Sequence, residues 1–224
     1  MLSPIVVSAS VITPSDVLSD WTPSGSPIDG GTDGVWTQSG SSIVGSGNHR
    51  ASLLSDFSNS DSFGFSVDSR ARDNDLFGLM WGVQDLSNHY RFSWGQERND
   101  GGNTGWTGSG GFNLYKEVGG VATGLFNSNI EYVIGNDYNL NVLGTAGGFD
   151  VLITNLTTST NIFNISIADT TFTSGRVGVH EWYQGNSNVW SNFDNSQTVP
   201  EPSVIALMGL GVFGLGISRR KMKK

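Results

Sequence analysis

No cysteine occurs among the 224 residues. Disulfides, a cysteine nucleophile and thiolate metal sites are therefore excluded. The compartment stays open, because a domain of ~200 residues buries enough core to stand without covalent staples. Charge is sparse too, with Asp, Glu, Lys and Arg making up 14% of the chain. Basic residues are scarcest ahead of the C-terminal tail. Arg219, Arg220, Lys221, Lys223 and Lys224 account for five of the 12, leaving seven against 19 acidic residues over 1–199 and a net charge near −12. Such a surface repels a phosphate backbone and excludes nucleic acid as a partner. It suits calcium or neutral, hydroxyl-rich ligands. Glutamate is rare as well: Glu97, Glu117, Glu131, Glu181 and Glu201 are the five.

Helical periodicity is missing before the tail. What replaces it is alternation of apolar and polar residues, repeated between Gly, Asn, Asp and Ser breaks. Phe63, Phe65 and Val67 share one face, as do Phe77, Leu79, Trp81 and Val83, and then Tyr90, Phe92 and Trp94. Tyr138, Leu140 and Val142 follow, then Phe163, Ile165 and Ile167, then Val177 and Val179. Period-two stripes of this length predict antiparallel strands, and many of them predict an all-β sandwich or barrel. Residues 14–60, rich in Ser, Gly, Asp and Pro, read as loops with short strands near Trp21, Trp36, Ile43 and Leu53. The start, MLSPIVVSAS, reads either as the last part of a truncated signal peptide or as a first strand, over residues 1–13.

The end of the chain is different in kind. Ser203 to Ile217 carries no charge, and RRKMKK follows. Fifteen helical residues span about 22 Å, short of a hydrocarbon core of about 30 Å. Ser218 and snorkelling arginines extend the reach, so residues 203–218 are expected to form a transmembrane helix. Basic residues closing an apolar run stay cytoplasmic, which puts the preceding domain outside. Pro200, Glu201 and Pro202 come immediately before the helix, keeping that segment extended.

Pro-Glu-Pro, an apolar run and an Arg-rich end beginning Arg219-Arg220, in that order over 198–224, resemble the PEP-CTERM sorting signal of Gram-negative bacteria. The resemblance implies processing by an exosortase. It also implies an inner-membrane-anchored precursor whose mature form reaches the cell surface or an extracellular polysaccharide matrix.

A second resemblance runs from about residue 61 to 194. DNDLFGLMWGVQDLSNHYRFSWGQ, GFNLYKEV, EYVIGNDYNLNVLGTAGGFDVLITN and SGRVGVHEWYQGNSNVWSNFD occur in that order. The set is similar to the thrombospondin C-terminal-like branch of the concanavalin A-like jelly rolls. It implies two stacked antiparallel sheets over 14–197 and, in many members, calcium together with glycan or matrix binding.

Asp73, Asn74 and Asp75 precede one strand and Asp85 follows it. Oxygen ligands clustered in loops are what calcium requires, usually six to eight of them, and the resemblance implies a site at these residues. Turn chemistry is the competing reading. An EF-hand loop is absent, since RDNDLFGLMWGVQ lacks its Gly and terminal Glu. For a sugar, aromatic faces matter. Trp106 lies in the glycine-rich loop GGNTGWTGSGG, and Trp182 and Trp190 lie on late strands where one face is open to a ligand. Trp81 and Trp94 fit the buried stripe. His180 and Glu181 are adjacent and point to opposite faces of a strand, while His49 and His89 are isolated, so no metal-binding histidine set is expected.

Hydrolysis of a glycosidic bond needs two carboxylates about 5–5.5 Å or 6.5–9.5 Å apart. The alternating acids that supply them on such a sandwich are absent. The leading reading is a non-enzymatic, exported sandwich that binds extracellular polysaccharide or a cell-surface glycan. A polysaccharide-cleaving enzyme of the same fold and a self-packing matrix protein are the alternatives.

Overall fold

In the computed structural model, residues 12–25, 35–46, 50–59, 62–96, 110–182 and 188–195 are described. Trp106, the start of the chain through residue 11 and the whole C-terminal signal, Pro200, Glu201, Pro202, Arg219 and Arg220 included, lie outside them. Among the described residues no helix is long and apolar enough to cross a membrane.

The chain opens with α1 (Pro14–Asp20), which the sequence reading assigned to loop. Its signal is local. Thr13 Oγ1 accepts from Asp16 N at 3.3 Å, Asp16 Oδ2 accepts from Thr13 N at 3.0 Å, and Pro14 opens the first turn. This reciprocal cap plus an N-terminal proline satisfies the free N–H groups of a short helix. Val17 and Trp21 bury that helix against the core.

Fourteen strands follow: β1 (Thr22–Gly25), β2 (Val35–Ser39), β3 (Ser42–Ser46), β4 (Arg50–Leu54), β5 (Phe63–Arg70), β6 (Leu76–Asp85) and β7 (Asn88–Gly95). Then come β8 (Gly111–Val118), β9 (Val121–Ser128), β10 (Asp137–Thr145), β11 (Gly148–Asn155), β12 (Thr160–Ile167), β13 (Arg176–Trp182) and β14 (Asn188–Asp194). They form two seven-stranded sheets. The first runs β1-β4-β13-β6-β7-β8-β9 and the second β12-β11-β10-β5-β14-β3-β2, and every pairing is antiparallel. This is the all-β antiparallel sandwich that the alternation predicts.

The core is the interface between the two sheets, and aromatic rings lock it. Trp94 meets Tyr138 at 4.9 Å, Trp81 meets Phe149 at 5.0 Å, and Phe77 meets Trp190 at 5.9 Å, each with the rings near perpendicular. Edge-to-face pairs of this kind add about 0.5–1.5 kcal/mol to area burial. The predicted stripes on β5, β7 and β10 all fall in this cluster. Val83 does not. It joins Leu54 and Met80 in a separate small cluster. Gly82 takes φ +58°, and the register against β7 shifts between Trp81 and Asp85, so strict alternation ends at Trp81. A bulge of this type re-aims the residues beyond it.

At one rim the segment after β12 is pinned by charge. Asp169 accepts from Lys116 Nζ at 2.6 Å and from the Tyr90 hydroxyl at 2.5 Å. Burial opposes ionisation of Asp169, yet the bonds from Lys116, Tyr90 and Thr171 outweigh it and hold the carboxyl well below its ordinary range. Burial and the same contact push the Tyr90 phenol up to about 12. Asp169→Ala is expected to cost about 1–3 kcal/mol in urea unfolding at neutral pH, because Lys116 and Tyr90 lose their acceptor. A lowered carboxyl pKa stabilises above the unfolded value and is lost as pH falls through the folded one. The wild-type advantage over Asp169→Ala should therefore shrink at acid pH.

Candidate functional site

Alternation gives the first sheet a second face, turned away from the core. Residues there need not be apolar, and many are polar. Strand pairing aligns Ser52 on β4, His180 on β13, Gly78 on β6, Ser93 on β7, Asn113 on β8 and Asn127 on β9 in one row across the sheet. One row along, Met80, Arg91 and Tyr115 are neighbours. Beyond these, His89 pairs with Glu117.

Most of these polar groups are buried. His89, Ser93, Asn113, Glu117 and His180 are each less than 9% exposed. Polar side chains are rarely buried on the outer face of a sheet unless something specific holds them. His180 Nε2 sits 2.7 Å from the Phe92 carbonyl and 3.4 Å from Ser93 Oγ. A carbonyl only accepts, so Nε2 carries the proton. Glycine at 78 permits this, since a Cβ there would fall 2.0 Å from the Phe92 oxygen. The Arg91 guanidinium lies over the Tyr115 ring, 4.8 Å from its centroid, a cation–π contact that fixes both planes. His89 Nε2 approaches Glu117 Oε2 at 3.9 Å. Asn113 Nδ2 is buried without a hydrogen-bond partner among the described residues. The face thus presents fixed donors, acceptors and an aromatic–guanidinium pair within a few strands.

The residues expected from sequence are distributed unevenly about it. Trp182 ends β13 on this same face and pairs with Leu76, at the end of β6 that Asp73, Asn74 and Asp75 lead into. Trp190 is a correction. It is fully buried, packed on Phe77 between the sheets, and has no face to offer a sugar. The metal set is also split. Asp75 precedes the ten-residue β6 and Asp85 ends it, so they stand roughly 30 Å apart at ~3.3 Å per residue, and one ion cannot draw on both. Asp85 serves the β6–β7 turn, accepting from Asn88 Nδ2 at 2.9 Å and from Ser87 N at 2.8 Å, and these bonds, the Asn88 amide foremost, lower its pKa. At the other end, Asp73 Oδ1 accepts from Asn74 N at 2.9 Å. The Asp73 and Asp75 carbonyls each lie 2.6 Å from the Tyr132 hydroxyl. Among the described residues no three acidic or histidine side chains gather as metal ligands. The four residues together do not fit calcium.

Sequence reasoning missed His89, Arg91, Ser93, Asn113, Tyr115 and Glu117 as a group. The signal was present in the polar phase of HYRFSW and GFNLYKEV. Which strands lie side by side was not.

His180 and Glu181 do point to opposite faces. Glu181 enters the core, where a Cβ on Gly45 of the opposite sheet would fall 2.3 Å from its carboxylate. Burial pushes that carboxyl up to about 8. The nearby Trp190 indole pulls it back only in part.

Comparison with known proteins adds two findings. Residues 198–221 match the PEP-CTERM protein-sorting motif, which marks an exported, exosortase-sorted protein. Comparison with curated protein sequences finds no match. Among solved structures, the carbohydrate-binding module CBM66 from Bacillus subtilis superposes with TM-score 0.59 at 18% identity, covering 79% of this chain and 96% of the module. The exoplasmic/lumenal domain of VIP36, bound to Ca2+ and Man3GlcNAc, gives 0.60 at 12%, covering 88% and 93%. A provisionally assigned glycosyl hydrolase from Parabacteroides distasonis gives 0.51 at 13%, covering 85% and 99%. At these identities the likeness is one of fold. The chain carries a PEP-CTERM protein-sorting motif behind a lectin-like antiparallel β-sandwich.

Proposed function

We propose that this is an exported, exosortase-processed protein of a Gram-negative cell surface or its matrix. Its sandwich binds carbohydrate through the outer face of the first sheet and is not an enzyme. One observation carries the reading: a polar array, His89, Ser93, Asn113, Tyr115, Glu117 and His180, all buried, with half-buried Arg91, stands on the sheet face that the core does not use. Sugars are recognised by amides, hydroxyls and guanidinium groups that take paired hydroxyls, together with an aromatic or apolar surface for the C–H face. All of these are present there. The fold shared with a carbohydrate-binding module and with a glycan-bound lumenal domain supports the same role. Glu117 and Glu181 lie on opposite faces of the sheet, so these two do not form the carboxylate pair that hydrolysis requires.

The full chain in mild detergent, passed over immobilised extracellular polysaccharide of the producing cell, is expected to be retained. Asn113→Ala, which removes the amide at the centre of the array, should weaken retention at least tenfold and leave the unfolding midpoint within a few degrees. Tyr115→Ala should also weaken retention by the folded fraction while freeing Arg91, but because that ring is fully buried its unfolding midpoint is expected to fall as well. Retention that survives both substitutions would remove this face from the reading. Release of new reducing ends during the same incubation would favour the hydrolase instead. A chelator arm tests calcium, and loss of retention there would direct replacement to Asp73 and Asp75.

A further inference from the structure

The second sheet also has an outer face, and it holds a groove of about 570 Å³ at the end where β5 and β14 meet the segment before β10. We infer that this groove is a separate binding site for a carboxylate-bearing sugar, a hexuronate unit of an acidic polysaccharide, with Arg72 as the contact for the carboxylate. The inference does not rest on the first sheet's face.

Charge is the first argument. The domain as a whole, with a net charge near −12, disfavours an anion, but two of the seven Lys and Arg ahead of the tail, Arg70 and Arg72, line this one groove and make it a local exception. Both acids beside them are already engaged. Asp137 takes the Arg70 guanidinium in a two-bond fork, from Nε at 2.7 Å and from Nη2. Asp68 accepts Asn139 Nδ2 at 2.8 Å on one oxygen and Asn192 Nδ2 at 2.7 Å on the other. Arg72 is exposed and has no ion-pair partner among the described residues. A planar guanidinium left over in a groove of satisfied acids matches a ligand carboxylate, which it takes bidentately.

Backbone is the second argument. Asn192 holds a left-handed conformation, φ +52°, within the register shift between Ser191 and Asp194. A non-glycine residue in that region costs free energy and persists where its surroundings fix it. Here Asp68 fixes it. The bulge interrupts β14 beside the groove, as bulges beside binding sites do. Ser191 and Thr157 offer hydroxyls to sugar hydroxyls, while Leu156 and Val189 offer an apolar surface to the ring. The volume holds a sugar of two or three units, within the range of small-molecule pockets.

Oligogalacturonate and its methyl-esterified form, identical except for the charge, are the probes. Titration calorimetry on the full chain in detergent, at ~0.15 M salt, screens distant charges and leaves contacts made within the groove. Oligogalacturonate is expected to bind at least tenfold more tightly than the ester. Arg72→Gln, a replacement of an exposed side chain, should remove that preference. Asn113→Ala should keep it. Equal binding of the two probes, no binding of either, or an unchanged preference in Arg72→Gln overturns the groove. Loss of the preference in Asn113→Ala moves the acidic sugar to the first sheet and overturns it too. Failure of the first-sheet reading shows separately, as unaltered retention of Asn113→Ala on the extracellular polysaccharide.

Discussion

Replacing Trp190 by alanine is expected to destabilise the sandwich by about 3–5 kcal/mol, the range for deleting a buried aromatic ring. The ring lies between the sheets, fully buried, and meets Phe77 of the opposite sheet at 5.9 Å. Its loss leaves a cavity lined by residues of both layers, and a close-packed interior closes over such a gap only in part. Native domains are stable by only about 5–15 kcal/mol, so the variant should show a much lower urea midpoint and poor recovery of folded protein. The folded fraction should still bind polysaccharide with unchanged affinity, because Trp190 faces away from both outer surfaces. Weakened affinity at unchanged stability would return Trp190 to the ligand. Trp182→Ala is the informative contrast, since that ring lies on the outer face of the first sheet.

The second large effect is one of pH. Glu181 is nine-tenths buried or more, among Ala51, Phe77, Gly45 and Trp190, and burial pushes its carboxyl up to about 8 from its ordinary 4.5. The folded state therefore keeps a proton that the unfolded state gives up. Stability from this group is complete below about pH 4.5 and is lost as pH rises to about 8. At ~1.4 kcal/mol per pH unit, the whole window is worth on the order of 5 kcal/mol as an upper bound. Glu181→Gln carries no titrating proton. Its unfolding free energy should be nearly flat across that window, close to the wild type at the acid end and clearly above it at pH 8. Urea titrations at pH 5 and pH 8 decide the matter: parallel behaviour of the two proteins would mean that the Glu181 carboxylate is solvated after all.

The stripes Phe63-Phe65-Val67, Tyr90-Phe92-Trp94 and Tyr138-Leu140-Val142 were legible because a strand buried on one face must alternate, whatever its neighbours. Three misreadings share another origin. Val83 was placed with Trp81 because alternation was extended through Gly82, whose positive φ ends it. Trp190 was placed on an open face because a late strand has one face away from the core and the local polar phase around it, with asparagines at 188 and 192, does not say which. Asn188 is nevertheless fully buried, and Asn192 sits in a bulge. Asp85 was joined to Asp73 and Asp75 because all are oxygen ligands at the ends of one strand, whereas an extended strand holds its two ends far apart. The array on the first sheet was half visible. Each strand disclosed its own polar phase, but bringing His180 beside Ser93 and Asn113 needs β13 inserted between β4 and β6, a long-range pairing that no local pattern carries. The cap at Thr13 was readable from Thr13, Pro14 and Asp16 alone and was passed over among loop residues.

The last strand, β14, is not at an edge. It lies between β5 and β3, hydrogen-bonded on both sides, and the sorting tail follows it in the chain. Were the tail held in a membrane, as the proposed function has it for the precursor, drag on the domain would be transmitted through this strand. A pull along the strand axis strains the ladders to β5 and β3 together, in shear, instead of peeling an outer strand away one bond at a time. Trp190 and Phe193, both buried from this same strand, add resistance against the opposite sheet and against Trp21. A tether at the end of β14 would therefore load the sandwich at a mechanically strong point.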